Sequence, residues 1–314
     1  MPIVYLVVPC YNEEAVLPEA NLRLMKKICM LIESGRIDKN SRILYVDDGS
    51  KDTTWNLITQ FHNESEYVCG LKLAHNVGHQ NALLGGLMTA KKIADCAISL
   101  DADLQDDVEV LDAFIDRFNE GCEIVYGVRN KRDSDTFFKR FTAEGFYKIL
   151  KRLGIEIIFN HADYRLMGKR SLEALSDYKE VNLFLRGIVP LIGFKSGTVY
   201  YNRSKRAAGE SKYPLKKMLS FAIDGITSFS VKPLKIISNL GVLISFLSII
   251  GLLYALISYF AGVAVPGWTA IVASIWLLGG IQLLCIGVVG EYIGKIYSEV
   301  KNRPRYIVEE YLDD

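Results

Sequence analysis

From Ile236 to Gly290 the chain contains no Asp, Glu, Lys or Arg, and that gap constrains the fold more than any other feature. A helix crosses a bilayer core in ~20 predominantly apolar residues. The gap holds two such lengths, read as spans at Ile236 to Phe260 and Trp268 to Gly290, with Ala264-Val265-Pro266-Gly267 as the break between them. A buried helical pair in a soluble core would not require so long a charge-free stretch. Lys232 and Lys235 precede the first span, whereas Lys295, Lys301, Arg303 and Arg305 follow the second. By the positive-inside rule both ends are cytoplasmic.

Ahead of the hairpin, short apolar runs alternate with amphipathic stretches, the pattern of parallel strands joined by crossover helices. Strands are expected at Ile3 to Val8, Arg42 to Val46, Val68 to Leu73, Ala97 to Leu100 and Glu123 to Tyr126. The first four run into polar loops: Pro9 to Glu14, Asp47 to Asp52, Asn76 to Gln80, and Asp101 onward. Ligands of open α/β sheets bind beyond the carboxyl ends of the strands, so these loops are expected to converge on one site. Asp163 to Met167 and Gly197 to Tyr201 read as added antiparallel strands, with Leu172 to Leu185 largely helical between them. Ile3 to Val8 is too short for a signal peptide and lacks its basic leader, so the large domain is expected on the cytosolic side.

The charge balance is nearly even, with a formal net charge of +1, so nothing favours nucleic acid as a partner. The six cysteines show no Cys-x-x-Cys and the four histidines no zinc spacing. The cysteines are read as reduced packing residues.

The chemistry concentrates at Asp101-Ala102-Asp103, which follows the apolar run Cys96 to Leu100. Side chains at i and i+2 of an extended segment point the same way, so the two carboxylates can share one hard divalent cation, with Gln105 on the same side. Mg²⁺ or Mn²⁺ bound in this way keeps positions open for phosphate oxygens. Positive charge lies elsewhere: at Arg129, on an amphipathic helix around Phe137 to Leu153 that carries Arg140, and in the segment Asn202 to Tyr213. A guanidinium can grip phosphate bidentately. Gly209 and Ser211 give that last segment the composition of a flap, and Pro214 to Lys235 has that of a helix lying on a bilayer surface.

Taken in order, Val8-Pro9-Cys10-Tyr11-Asn12-Glu13, Val46-Asp47-Asp48-Gly49-Ser50, Asp101-Ala102-Asp103-Leu104-Gln105, the Arg203 to Tyr213 stretch and two spans followed by Gly290-Glu291-Tyr292-Ile293-Gly294 and Asn302-Arg303-Pro304 resemble one family. It is the family 2 glycosyltransferases of the polyprenyl-phosphate type, and the resemblance covers the entire chain. It implies a GT-A type, mainly parallel α/β domain that binds a nucleotide-diphosphosugar, plus a C-terminal two-helix transmembrane hairpin. The expected division is 1–213 for the cytosolic transferase domain, 214–235 for an interfacial helix, 236–290 for the spans and 291–314 for a cytosolic tail. Pro9, Tyr11, Glu13, Asp48, Asp101 and Asp103 would contact the nucleotide sugar, and Asp101, Asp103 and Gln105 the metal. Arg129, Arg140, Arg203, Arg206, Ser211 and Lys212 would receive the acceptor phosphate, with Asp103, Arg129, Arg203 and Arg206 as the catalytic set.

The implied reaction moves a sugar, UDP-glucose being the expected donor, onto polyprenyl phosphate with inversion of the anomeric centre. A phosphate monoester has a second pKa of ~6 and needs no strong base, so His75, His79 and His161 are read as structural. The implied location is the plasma membrane, with multiple passes, both termini cytoplasmic, the lipid bilayer as a partner and a homo-oligomer as a plausible assembly. GDP-mannose or another UDP-sugar, and a non-catalytic nucleotide-sugar-binding scaffold, are the alternatives. A processive polysaccharide synthase would carry Gln-x-x-Arg-Trp, where this chain reads Asn182-Leu183-Phe184-Leu185-Arg186-Gly187.

Overall fold

A computed structural model describes residues 1–103, 105–129, 161–181, 183–202, 232–260 and 267–313. Its sheet begins with β1 (Val4–Cys10) and β2 (Arg42–Asp47), whose apolar runs are buried almost throughout. Between them α1 (Leu17–Glu33) buries Leu17, Ala20, Leu24, Lys27, Ile28 and Leu31, the three-and-four spacing of a helix laid against a sheet. Lys27 is the exception in that stripe. Its ammonium pairs with Glu109 at 2.7 Å and Asp112 at 2.5 Å, while Asp112 also takes Arg36 at 2.8 Å.

The first half continues through α2 (Thr54–Glu64), β3 (Val68–Leu73), α3 (His79–Ala90) and β4 (Cys96–Ser99). The strands β4, β1, β2 and β3 lie side by side in that order, all parallel. Helix α3 packs very closely on this sheet. A Cβ on Gly86 would meet Val7 Cγ1 at 2.4 Å and Val46 Cγ2 at 2.7 Å, so glycine is required by the approach of helix to strand. Because β2 and β4 lie on opposite sides of β1, the crevice of this open sheet opens between the carboxyl ends of β1 and β4.

A 3₁₀ turn, Val108–Val110, leads into α4 (Leu111–Asn119) and β5 (Ile124–Arg129). β6 (His161–Gly168) runs antiparallel between β4 and β5, as its sequence leads one to expect. β7 (Ser196–Tyr201) corrects the expectation of a second antiparallel addition, because it pairs parallel with β5, from Ile124 against Ser196 to Arg129 against Tyr201. The chain reverses across the sheet in between, through two short helices, α5 (Lys169–Asp177) and α6 (Leu185–Leu191). The single helix read over Leu172 to Leu185 is therefore broken, and Tyr178 caps α5 in an extended conformation.

The hairpin forms two helices, α7 (Lys232–Phe260) and α8 (Trp268–Lys301), which contain both expected spans. Among the described residues, Leu277–Lys301 is long and apolar enough to cross a membrane, with mean hydropathy 1.6 over its most apolar 18 residues. Asn302 ends α8 at φ 44°, a left-handed position that asparagine tolerates better than most residues. The chain then rejoins the large unit: β8 (Val308–Leu312) pairs antiparallel with β3 and completes the sheet as β7-β5-β6-β4-β1-β2-β3-β8. All six cysteines are free thiols.

Candidate active site

The loops after β1, β2 and β3 are stitched together by reciprocal hydrogen bonds. Asn12 takes a left-handed conformation, φ 52°. Its N–H donates to Ser50 Oγ at 3.0 Å while its side-chain oxygen accepts the Lys51 N–H at 2.8 Å. Glu13 N–H donates to Thr54 Oγ1, and the Glu14 carboxylate accepts both the N–H and the hydroxyl of Thr53. Asp48, 3% exposed, closes the second loop onto the third by accepting the N–H groups of Val77 at 2.7 Å and Gly78 at 3.0 Å. Gly49 fits between them because φ is +64° and a Cβ would lie 2.7 Å from Asn76 N. Pro9 sits within β1 opposite Val46, and Tyr11 stands 37% exposed just beyond the strand.

Across the crevice, β4 delivers Asp101 and Asp103. The Asp103 carboxylate accepts the Gln105 N–H at 3.1 Å, a turn that fixes the direction of the loop. Asp101 keeps 35% of its side-chain surface open, and His79 Nε2 lies 3.7 Å from its Oδ1. Burial pushes the Asp101 carboxyl up to about 6; His79 opposes this, while Asp106, Asp163 and Asp103 add to it.

His79 also lies 3.6 Å from Asp163 on β6. Asp163 accepts from Arg165 Nη2 at 2.6 Å and from Arg186 Nη2 at 2.9 Å and Nε at 3.2 Å. Burial alone would raise its pKa, but His79, Arg186 and Arg165 hold the carboxyl well below the usual range. Burial likewise pushes His79 down, and Asp163 with Asp101 outweighs it, so the imidazole titrates above its ordinary value. Gln80 fixes the start of α6 by accepting the Leu185 N–H at 2.8 Å. His79 thus links Asp101 to Asp163 and, through it, to Arg186, whereas the sequence reads His79 as structural and gives the other two no role. They come from α3, β6 and α6, and only the strand order brings them together.

A second cluster lies at the carboxyl ends of β5 and β7. Tyr201 donates its hydroxyl to Asp106 Oδ1 at 2.6 Å, Arg129 Nε donates to the same hydroxyl at 3.2 Å, and Arg129 Nη2 lies 3.6 Å from Asp106. Arg129 therefore stands at the end of β5, as its place in the sequence suggests. Arg140, Arg203, Arg206, Ser211 and Lys212 lie outside the described residues.

Among the described residues no three His, Cys, Asp or Glu side chains are grouped to hold a metal ion. Two carboxylates at the end of one strand are nonetheless a set of hard oxygen donors that suits Mg²⁺ or Mn²⁺, since such ions are commonly held by one or two carboxylates together with substrate phosphates.

Residues 5–176 match the family described as Glycosyl transferase family 2, and residues 232–296 match the GtrB C-terminal hairpin. The chain is 56% identical over 308 residues to the uncharacterized glycosyltransferase YkoT of Bacillus subtilis (strain 168), covering 98% of this chain and 91% of the relative. It is 37% identical over 306 residues to the SfII prophage-derived bactoprenol glucosyl transferase of Shigella flexneri, covering 97% and 96% of the two chains. Among solved structures, glucosyl-3-phosphoglycerate synthase from Mycobacterium tuberculosis, in complex with Mn²⁺, UDP and phosphoglyceric acid, aligns over 72% of this chain and 76% of its own. That alignment has 15% identity and a TM-score of 0.46. With one family matching more than half of its length and close relatives spanning nearly all of it, the protein belongs to glycosyl transferase family 2 and is a glycosyltransferase with a GtrB-type C-terminal hairpin.

Proposed function

We propose that this glycosyltransferase moves one sugar from a nucleotide diphosphate donor, UDP-glucose in this reading, to polyprenyl phosphate at the cytosolic face of the plasma membrane. The anomeric centre inverts, and the product is a lipid-linked monosaccharide for a surface glycan. The observation that carries the reading is the pair Asp101 and Asp103 at the carboxyl end of β4, beside the crevice, in a chain 37% identical to relatives named bactoprenol glucosyl transferase.

The stitched loops after β1 and β2 form the nucleoside side, with Pro9, Tyr11, Glu13 and Asp48 at its border. Asp101 and Asp103, with Gln105 beside them, would hold a divalent cation, which when bound supplies positive charge to the departing diphosphate. The acceptor needs little activation, because a phosphate monoester is largely dianionic at neutral pH. What it needs is fixed positive charge in a site that already holds carboxylates. Arg129 supplies one such charge, and Arg140, Arg203, Arg206 and Lys212, with the Ser211 hydroxyl, complete the acceptor side in this reading. Asp163 stays ionised between its arginines and so adds no mobile proton to the site. The apolar hairpin keeps the domain at the surface where a lipid phosphate is presented.

Purified full-length protein in detergent, given Mg²⁺ or Mn²⁺, undecaprenyl phosphate and a panel of radiolabelled UDP- and GDP-sugars, tests the assignment. Label is expected in the lipid phase from UDP-glucose, and EDTA is expected to abolish it. Transfer from a different donor would replace glucose in this reading. Donor binding without transfer from any sugar would favour a scaffold.

A further inference from the structure

Asp106 lies three residues beyond Asp103 in the same loop, yet it is 4% exposed and its partners come from two other strands. A buried carboxylate is costly unless it is paired and hydrogen-bonded. Here Tyr201, the last residue of β7, donates to it, and Arg129, the last residue of β5, supplies the countercharge. The Tyr201 ring is locked edge-on against Tyr164, with centroids 5.3 Å apart, and Tyr164 in turn donates to the Asp107 carbonyl at 3.0 Å. The loop bearing the two aspartates is thus tied to the ends of β5 and β7. Beyond those ends the chain runs into the basic segments that begin at Lys131 and Arg203.

We propose that Asp106 is a positioning residue for the acceptor side: with Tyr201 it fixes the direction of the Arg129 guanidinium relative to Asp101 and Asp103. The proposal rests on the reading of Arg129 as an acceptor-phosphate contact. Nε of Arg129 is committed to the Tyr201 hydroxyl, and Nη2 lies on the Asp106 side. The guanidinium is therefore held along one edge while 24% of the side chain stays open. Without this hold, a flexible arginine would have to be ordered each time a phosphate arrives, and that ordering weakens binding.

Two near-isosteric variants separate this role from packing. Asp106→Asn keeps an acceptor for the Tyr201 hydroxyl but removes the charge that draws Arg129. Tyr201→Phe removes one oxygen and both of its hydrogen bonds while leaving the ring against Tyr164. Steady-state transfer by the full-length protein is measured with UDP-glucose and undecaprenyl phosphate varied in turn, alongside Arg129→Ala and the double variant Arg129→Ala/Asp106→Asn.

The expected result is an acceptor KM raised about tenfold in each single variant, with the donor KM within about twofold of wild type. In the double variant Asp106→Asn should add nothing to Arg129→Ala, since residues acting through one another are not additive. If Arg129→Ala raises the acceptor KM but Asp106→Asn and Tyr201→Phe do not, the positioning role is overturned and the acceptor reading of Arg129 stands. If Arg129→Ala leaves the acceptor KM unchanged, the reading beneath the proposal fails and the proposal with it. Equal rises in donor and acceptor KM, or fully additive effects, would reduce Asp106 to a structural residue.

Discussion

Asp48 accepts the backbone N–H of Val77 at 2.7 Å, so the second and third loops of the sheet meet through one buried carboxylate. The neighbouring Gly78 N–H donates to its other oxygen. Replacing Asp48 by alanine takes the acceptor from two half-buried amides; a fully buried group left unsatisfied costs about 1–3 kcal/mol, and these cost less where water reaches them. Asp48→Ala is expected to lower the thermal midpoint of the protein and to raise the donor KM, leaving the acceptor KM near wild type. Differential scanning fluorimetry and steady-state kinetics check both halves. An unchanged midpoint would remove the loop-joining role.

Gly86 permits the contact between α3 and β1, and its replacement tests how tightly the helix that begins with His79 is held. Its added methyl would overlap the Val7 and Val46 side chains, and such overpacking typically costs about 1–3 kcal/mol. Gly86→Ala should lower the midpoint for unfolding by urea. Gly279→Ala, where an added Cβ meets nothing within 4 Å, should not.

The parallel half of the sheet was legible because each strand there is a short apolar run ending in a polar loop, as at Val8-Pro9 and Leu100-Asp101. The sequence also marked Asp101, Asp103 and Arg129 by their places at strand ends. Asp163 and Arg186 were not legible, since their meaning lies in Asp163 meeting both His79 and Arg186 across three elements. The direction of β7 escaped for a similar reason: alternation along Ser196–Tyr201 specifies a strand but not which way its neighbour runs. β8 was missed because the charged stretch after the hairpin reads as a tail, whereas pairing with the edge of β3 makes it a strand.

Asp163 and its two arginines differ in burial, and that difference predicts an order of effects. Asp163→Asn leaves Arg165, whose side chain is 1% exposed, without its anionic partner. Breaking a buried pair from one side costs about 3–5 kcal/mol. Arg186 keeps 45% of its side-chain surface open, so Arg186→Met should cost less, about 1–2 kcal/mol. Chemical denaturation of both variants should show this ranking, and the reverse order would contradict the pairing described.

Lys27 and Asp112 set a pH dependence of stability. Burial pushes the Asp112 carboxyl up, but its hydrogen bonds and charge contacts with Lys27 and Arg36 outweigh that and hold it below its ordinary value. A carboxylate depressed in the folded state adds stability that is full above the ordinary Asp pKa and is lost as pH falls through the folded value. The stability gap between wild type and Lys27→Met is therefore expected to be widest near neutral pH and to narrow as pH drops from 5 toward 3. Thermal midpoints at several pH values check this, and a gap that widens in acid would contradict it.

The role proposed for Asp101 and Asp103 in sugar transfer to a lipid phosphate is tested by the lipid-phase label that wild type and Asp103→Asn form from UDP-glucose and undecaprenyl phosphate. Asp103→Asn is expected to lose about 100-fold or more in kcat/KM, with its thermal midpoint unchanged in the absence of donor. An Asp103→Asn protein that transfers glucose to the lipid at the wild-type rate would contradict it.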